Sequence, residues 1–199
     1  TVHAQQKLDG YLFDLPAVGL AEQRGDLRRS LPERCKMAAS LINTHTQPAI
    51  AWCNLNEEGH MLEKLIPDAV EIEGGDSEEF KEKTFAAFVK GDVRVIVTKC
   101  TIAGFGLNFQ HCAHQTFFPS HSYEQFYQAV RRSWRFGQKN PVTLDMITTD
   151  GQADVLANLE RKTQQADKMF DQLIGMMWRE LKLEQRNDYT TKEEIPSWL

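Results

Sequence analysis

The sequence predicts an α/β fold built on a mostly parallel sheet. Three observations predict it. Five short strand-like runs recur along the chain. Amphipathic segments of ten or more residues separate most of them, so strands alternate with helices as in repeated βαβ units, whose crossovers are right-handed. The composition, 41% hydrophobic and 26% charged over 199 residues, suits one globular domain of ordinary size, or one with an appendage, and argues against disorder.

In order along the chain, residues 1–24 read as irregular, with Leu12, Phe13 and Leu15 able to pack on a neighbour. Asp26 to about Asn43 predicts a helix whose buried face draws on Leu27, Leu31, Met37, Ala38, Leu41 and Ile42. Pro48–Cys53 reads as a short buried strand. Asn56 is placed to cap a helix to about Ile66, with Glu57 and Glu58 supplying the charge sign favoured in a first turn. Ala69–Ile72 is a short strand. Gly74 and Gly75 then break the chain, and Asp76 with Glu79 resembles a capping box opening a helix to about Val89. Val93–Thr98, V-R-V-I-V-T, is strongly β-branched and reads as a strand. A glycine-containing loop covers Thr101–Asn108, and His114–Phe118 reads as the next strand. Ser122 and Gln125 form a second capping box for a helix through about Trp134. Val142–Ile147 is the last strand. Gly151 precedes a long amphipathic helix with Val155, Leu156, Leu159, Met169, Phe170, Leu173 and Ile174 on its apolar side. That helix is expected to pack across the lobe. The organisation expected is a leading segment over 1–25, a lobe over 26–150 and a helical extension over 151–199.

No apolar run reaches the roughly 18 residues a membrane span needs, and the N-terminus lacks the pattern of a signal peptide. Cys35, Cys53, Cys100 and Cys112 are scattered without a C-x-x-C pair, which points to free thiols in a reducing, cytoplasmic compartment. The first residue is Thr1, so the chain is expected to be cut from something longer. The net charge of −5 speaks against a nucleic-acid partner only as an average. Residues 57–82 hold ten acids against two bases, residues 24–36 carry a surplus of three positive charges, and residues 125–140 hold four bases and no acid. An acidic flank and a basic edge are therefore expected on one lobe, the flank as a solvated face.

The basic stretch is Arg131, Arg132, Arg135 and Lys139. Arg132 and Arg135 are three apart and should share a helix face, while Arg131 points roughly 100° away from Arg132. An exposed helix usually mixes its charge signs. One sign alone asks for an anion, and guanidinium forks bind phosphate oxygens bidentately, although a cluster bridging acids inside the domain would read the same way. The loop T-I-A-G-F-G-L-N-F is not a dinucleotide fingerprint, because Phe109 stands where a third glycine is required. It is not a phosphate-binding loop of the Walker type either, since no G-K-[ST] occurs in the chain. His111, Cys112, His114 and His121 lack metal-ligand spacing, so no metal site is expected there, and His60 reads as an isolated surface residue.

The two strings together are more specific. A strand, A-G-x-G-x-N, a strand and then Q-A-x-x-R-x-x-R-x-G-Q resembles the second RecA-like lobe of superfamily-two helicases, in their Swi/Snf-related branch. Within that branch, A-G-F-G-L-N-F-Q-H-C with S-Y-E-Q-F-Y-Q-A-V-R-R-S-W-R-F-G-Q is most similar to phage or prophage DEAD/DEAH-type helicases. Trp134 and Arg131 stand where the branch often has His and Gly, and the glycine loop is one residue short. These departures favour a bacterial or phage-encoded enzyme over a nucleosome remodeller. The resemblance implies a three-layer αβα RecA-like lobe with a mostly parallel sheet and a long C-terminal helix. It implies a role in ATP-dependent helicase or translocase action, with ATP and Mg2+ held mainly by a first, N-terminal RecA-like lobe. Arg132 and Arg135 would act as arginine fingers on the γ-phosphoryl group, and Gln128 would couple ATP to lobe closure. Gly104, Gly106 and Asn108 would touch the nucleotide, and Asn54, Thr101 and Lys99 the backbone of DNA, expected to be double-stranded. Gly75 and Asp76 fall where the family has a D-G-S-like turn. The chain alone is expected to hydrolyse ATP negligibly. A degenerate lobe serving as a binding module is the alternative.

Overall fold

The computed structural model describes residues 20–102, 107–120, 122–149 and 152–187. Five parallel strands form one sheet in the order β2-β3-β1-β4-β5. They are β1 (Ala49–Cys53), β2 (Ala69–Ile72), β3 (Val95–Lys99), β4 (His114–Phe117) and β5 (Thr143–Met146). All five predicted strands are present, within two residues at their ends. The central strand β1 is buried along its whole length, as a strand covered on both faces must be.

Helices cover both faces, giving the expected three layers. On one side, α2 (Leu31–Asn43) and α3 (Asn56–Leu65) pack Cys35, Ala38, Ile42 and Leu62 on Ala49, Ala51, Val95 and Val97. On the other, α4 (Glu78–Lys90) and α5 (Tyr123–Ser133) bring Phe85, Phe88 and Ala129 to Ile50, Trp52, Ile72 and Ile96. Odd and even positions of β1 thus feed opposite cores, as the period of two requires.

The helix starts differ from the sequence reading. The single helix expected over Asp26–Asn43 is two, α1 (Leu20–Arg29) and α2, and α1 begins inside the segment read as irregular. Pro32 explains the break: it has no N–H, and its ring would strike a carbonyl of the preceding turn. Ser30 sits at the joint, its hydroxyl donating to the Asp26 carbonyl at 2.7 Å. Asn56 does not cap α3. The Glu58 carboxylate does, accepting from the N–H groups of Asn54 and Leu55 at 2.8 and 3.0 Å. At α4 the cap is Ser77, which accepts from the Phe80 N–H, while Asp76 instead accepts from the Glu73 N–H at 2.7 Å. Ser122 does cap α5, accepting from the Gln125 N–H at 3.3 Å.

The charge map is also corrected. Arg34 belongs to the core and not to a basic edge. It is fully buried and pairs with Glu58 at 2.7 Å, with its guanidinium 4.8 Å from the Phe118 ring centre. The acidic segment is not uniformly solvated, since Glu58 is buried and the Glu71 side chain is 8% exposed. Burial lifts Glu71 to about 7, with Glu73, Glu63 and Asp76 adding to the rise and His60 opposing it.

The described cysteines are all buried and free. Burial pushes the thiols of Cys35, Cys100 and Cys112 up to about 12, and that of Cys53 higher still. Thiolate is the reactive form, so a thiol reagent should label these four sites only as fast as the fold opens. Rapid stoichiometric labelling of the folded chain would contradict this.

The chain divides into two compact units, residues 1–159 and 160–199. The helix α6 (Ala153–Asn187) starts in the first, where Val155 and Leu159 are buried. In the second unit its residues Met169, Phe170, Leu173 and Ile174 are exposed. No described helix is long and apolar enough to cross a membrane.

Candidate phosphate-binding pocket

The C-terminal half of α5 and the turn after it form an open pocket of about 560 Å³. Leu107, Tyr127, Gln128, Arg131, Arg132, Arg135 and Phe136 line it. The sequence sets this up locally. Ser122 starts the helix, and the spacing of Gln128, Arg131 and Arg132 puts all three toward one side of it. The helix ends at Ser133, so Arg135 lies beyond it and does not share a helix face with Arg132 as predicted. A tight turn returns Arg135 to the same pocket, its N–H bonded to the Ser133 carbonyl at 3.0 Å.

Gln138 and Gly137 hold that turn. Gln138 donates from its side-chain amide to the carbonyls of Cys112 and Ser133 at 3.2 and 3.4 Å. Gly137 has φ +94, and a Cβ there would stand 3.0 Å from Gln110 Oε1. Gly137→Ala should therefore cost about 1–2 kcal/mol through left-handed backbone strain, read as a lowered urea midpoint. An unchanged midpoint would show that the turn relaxes freely. The loop after β3 is tied to the same place, because the Phe109 N–H donates to the Arg132 carbonyl at 2.9 Å.

Among the described residues, three guanidinium groups and no carboxylate line the pocket. Arg132 is buried to 7% exposure, and burial lowers its pKa, with the charge of Arg135 acting in the same direction and Cys100 against it. An arginine stays protonated in a protein, so the cost of this crowding is borne as repulsion. Arg131 lies over the rings of Tyr127 and Trp134, at 5.7 and 5.3 Å, which holds its head at the pocket rim. Gln128 donates to Glu124 at 3.0 Å, orienting its amide. The donor set suits phosphate oxygens, and none of the described lining residues brings a carboxylate to Mg2+.

Of the residues predicted from sequence, Gln128, Arg132 and Arg135 meet in this pocket. Asn54, Lys99 and Thr101 do not line it. They follow or end β1 and β3 at the carboxyl edge of the sheet, where ligands of open parallel sheets bind. Asn54 is committed to structure, donating to the Phe118 carbonyl at 2.8 Å, and Lys99 is bonded to Asn56 Oδ1. Asn108 accepts from the Gln110 N–H within its own turn. Gly104 and Gly106 lie outside the described residues. Tyr127, Leu107 and Phe136 were not anticipated. Only the spacing of Tyr127, four residues before Arg131, could have signalled one of them.

His111, Cys112 and His114 do not converge. His111 packs on Phe88, Cys112 points to the Pro48 and His114 carbonyls, and His114 bridges His45 and Asp145 at 2.6 and 2.8 Å. His121 lies outside the described residues.

The strand order and the three layers define a RecA-like α/β lobe. Solved structures share the fold at low identity. The C-terminal part of the Fun30 ATPase domain superposes with a TM-score of 0.54 at 16% identity, over 62% of this chain and 43% of that one. The C-terminal domain of S. cerevisiae Dbp5 gives 0.57 at 9% identity, over 67% and 80%. The RNA helicase Prp28 from Chaetomium thermophilum, bound to ADP, gives 0.57 at 19% identity, over 69% and 35%. This chain thus spans less than half the length of the Fun30 and Prp28 chains it matches. No family model matches the sequence, and no curated protein matches it by sequence.

Proposed function

We propose that this chain is the second motor lobe of an ATP-dependent DNA helicase or translocase of superfamily two, Swi/Snf-related and of bacterial or phage origin. The observation that carries the reading is the pocket itself, which gathers Arg132, Arg135 and Gln128. The likeness to C-terminal helicase domains, and to a helicase bound to ADP, supports it.

In this reading ATP, with its Mg2+, is held by a first lobe and supplies the phosphoryl group to be transferred. Arg132 and Arg135 contact its outer phosphate oxygens only when the two lobes are closed. Contacts made in one state alone are what allow a ligand to shift a conformational equilibrium. As negative charge spreads over the transferring group, the two forks stabilise it from positions already fixed by the Ser122 cap and the Gln138 turn, without reorganisation. Gln128, anchored by Glu124, reports closure to α5. Asn54, Lys99 and Thr101, at the carboxyl edge of the sheet, contact the DNA backbone, and Gly104, Gly106 and Asn108 contact the nucleotide. Backbone contacts make binding salt-dependent and indifferent to sequence.

The test is reconstitution. The isolated chain should hydrolyse ATP negligibly, having no G-K-[ST] loop. Adding a first lobe that carries that loop should restore DNA-stimulated turnover. Robust turnover by the isolated chain would overturn the reading. So would a binding-only module, seen as DNA affinity with no turnover in the two-lobe protein.

A further inference from the structure

Away from the arginine pocket, one group of side chains brings together donors of the kind that bind metal. His60 Nε2 and one carboxylate oxygen from each of Glu71 and Glu73 all lie within 4.8 Å of one another. His60 projects from α3. Glu71 is in the edge strand β2, and Glu73 follows it two residues on, so both carboxylates share the strand face that α3 covers. Nε2 stands 2.5 Å from Glu73 Oε1 and 3.8 Å from Glu71 Oε2.

Glu71 is the second, independent observation. Its side chain is 8% exposed, and its carboxylate accepts no hydrogen bond from any described residue, since 3.8 Å to His60 is too long for one. A carboxylate on so enclosed a side chain is stabilised by a nearby cation or by donors. The chain makes room for it deliberately. Position 59, in the helix next to His60, is glycine, and a Cβ there would stand 1.8 Å from Glu71 Oε1. Glycine inside a helix is unfavourable by roughly 0.5–1 kcal/mol relative to alanine, so the notch has a use. Outer partners fix the strand that carries both acids. Glu63 accepts from the Glu71 N–H at 3.0 Å, and Asp76 accepts from the Glu73 N–H at 2.7 Å. Two carboxylates therefore face the imidazole, and two more hold the backbone that carries them.

We propose that His60, Glu71 and Glu73 form a binding site for a divalent first-row metal, Zn2+ best matching the set, which pins α3 to the edge strand β2. One imidazole nitrogen with two carboxylate oxygens suits Zn2+ better than Mg2+ or Ca2+, which prefer oxygen alone. Three protein ligands leave a fourth position open to water. His60 is exposed, so its contact with Glu73 can lengthen to the roughly 3.3 Å spacing that bonds of about 2.0 Å impose in a tetrahedron. The site is independent of the arginine pocket and of the motor reading.

The experiment is calorimetric titration of the chelator-treated 199-residue chain with Zn2+, alongside its thermal unfolding. One Zn2+ per chain should bind and raise the unfolding midpoint. His60→Ala and Glu71→Gln should each weaken binding at least by the roughly 10–100-fold seen when even an outer partner is lost. His114→Asn, at the other histidine cluster, should leave it unchanged. His60 is exposed, so its variant keeps the fold whatever Glu71→Gln does. The proposal is overturned if no saturable one-to-one binding occurs, if binding survives His60→Ala, or if His114→Asn abolishes it.

Discussion

Arg132→Ala in the two-lobe protein should lower DNA-stimulated ATP turnover by on the order of 10³-fold or more, the scale of a lost arginine finger. The same loss is expected of Arg135→Ala. The two line one pocket from different elements, Arg132 from the last turn of α5 and Arg135 from the turn beyond it. In the proposed role they act on the same phosphoryl oxygens, so the double variant should be little worse than either single one. Lysine should not rescue Arg132, because a point charge cannot reproduce a planar fork. The fold should survive: the bond that ties the preceding loop to α5 uses the Arg132 carbonyl and not its side chain. Steady-state turnover together with a thermal melt separates the two effects. Full activity in both variants would dismiss the finger assignment.

The largest stability effect should come from the buried pair of Arg34 and Glu58. Removing either partner leaves an uncompensated charge in the core, which costs about 3–5 kcal/mol. Glu58→Ala should be the worse, because that carboxylate also caps α3 through the N–H groups of Asn54 and Leu55. Arg34 in turn holds the Leu27 carbonyl at 2.7 Å and stacks on Phe118, so the pair joins α1, α2 and α3 at one point. A double replacement by apolar residues of similar volume, Arg34→Met with Glu58→Leu, should recover most of the Coulombic loss but not the cap. Urea unfolding measures all three. A double variant as unstable as Glu58→Ala alone would show that packing, and not charge, governs this corner.

The strands were legible because each is a short run between clear breaks, and β1 and β3 are apolar and buried on both faces. Helix starts were less so. Asn56 and Asp76 are good caps by residue type, yet Glu58 and Ser77 won because the chain enters those helices one residue away from where they were expected to start. Local charge counts could not separate surface from core: Arg34 and Glu58 are 24 positions apart and meet only once α2 and α3 pack. The arginines of the pocket were readable from their motif, whereas Phe136 and Leu107 enter it through turns whose geometry depends on Gly137 and Phe109. His60 read as isolated because its neighbours Glu71 and Glu73 come from the next strand, brought alongside by topology.

The central claim is that Arg132 and Arg135 serve the transition state of phosphoryl transfer. Binding of ADP with aluminium fluoride, a mimic of that state, tests it most directly. The affinity of the two-lobe protein for this mimic and for ADP would be compared between the unaltered chain and Arg132→Ala. The expected result is a loss of 10²-fold or more for the mimic, on the scale by which such analogues outbind substrates, with ADP affinity nearly unchanged. Equal loss of both ligands, or no loss of either, would contradict it.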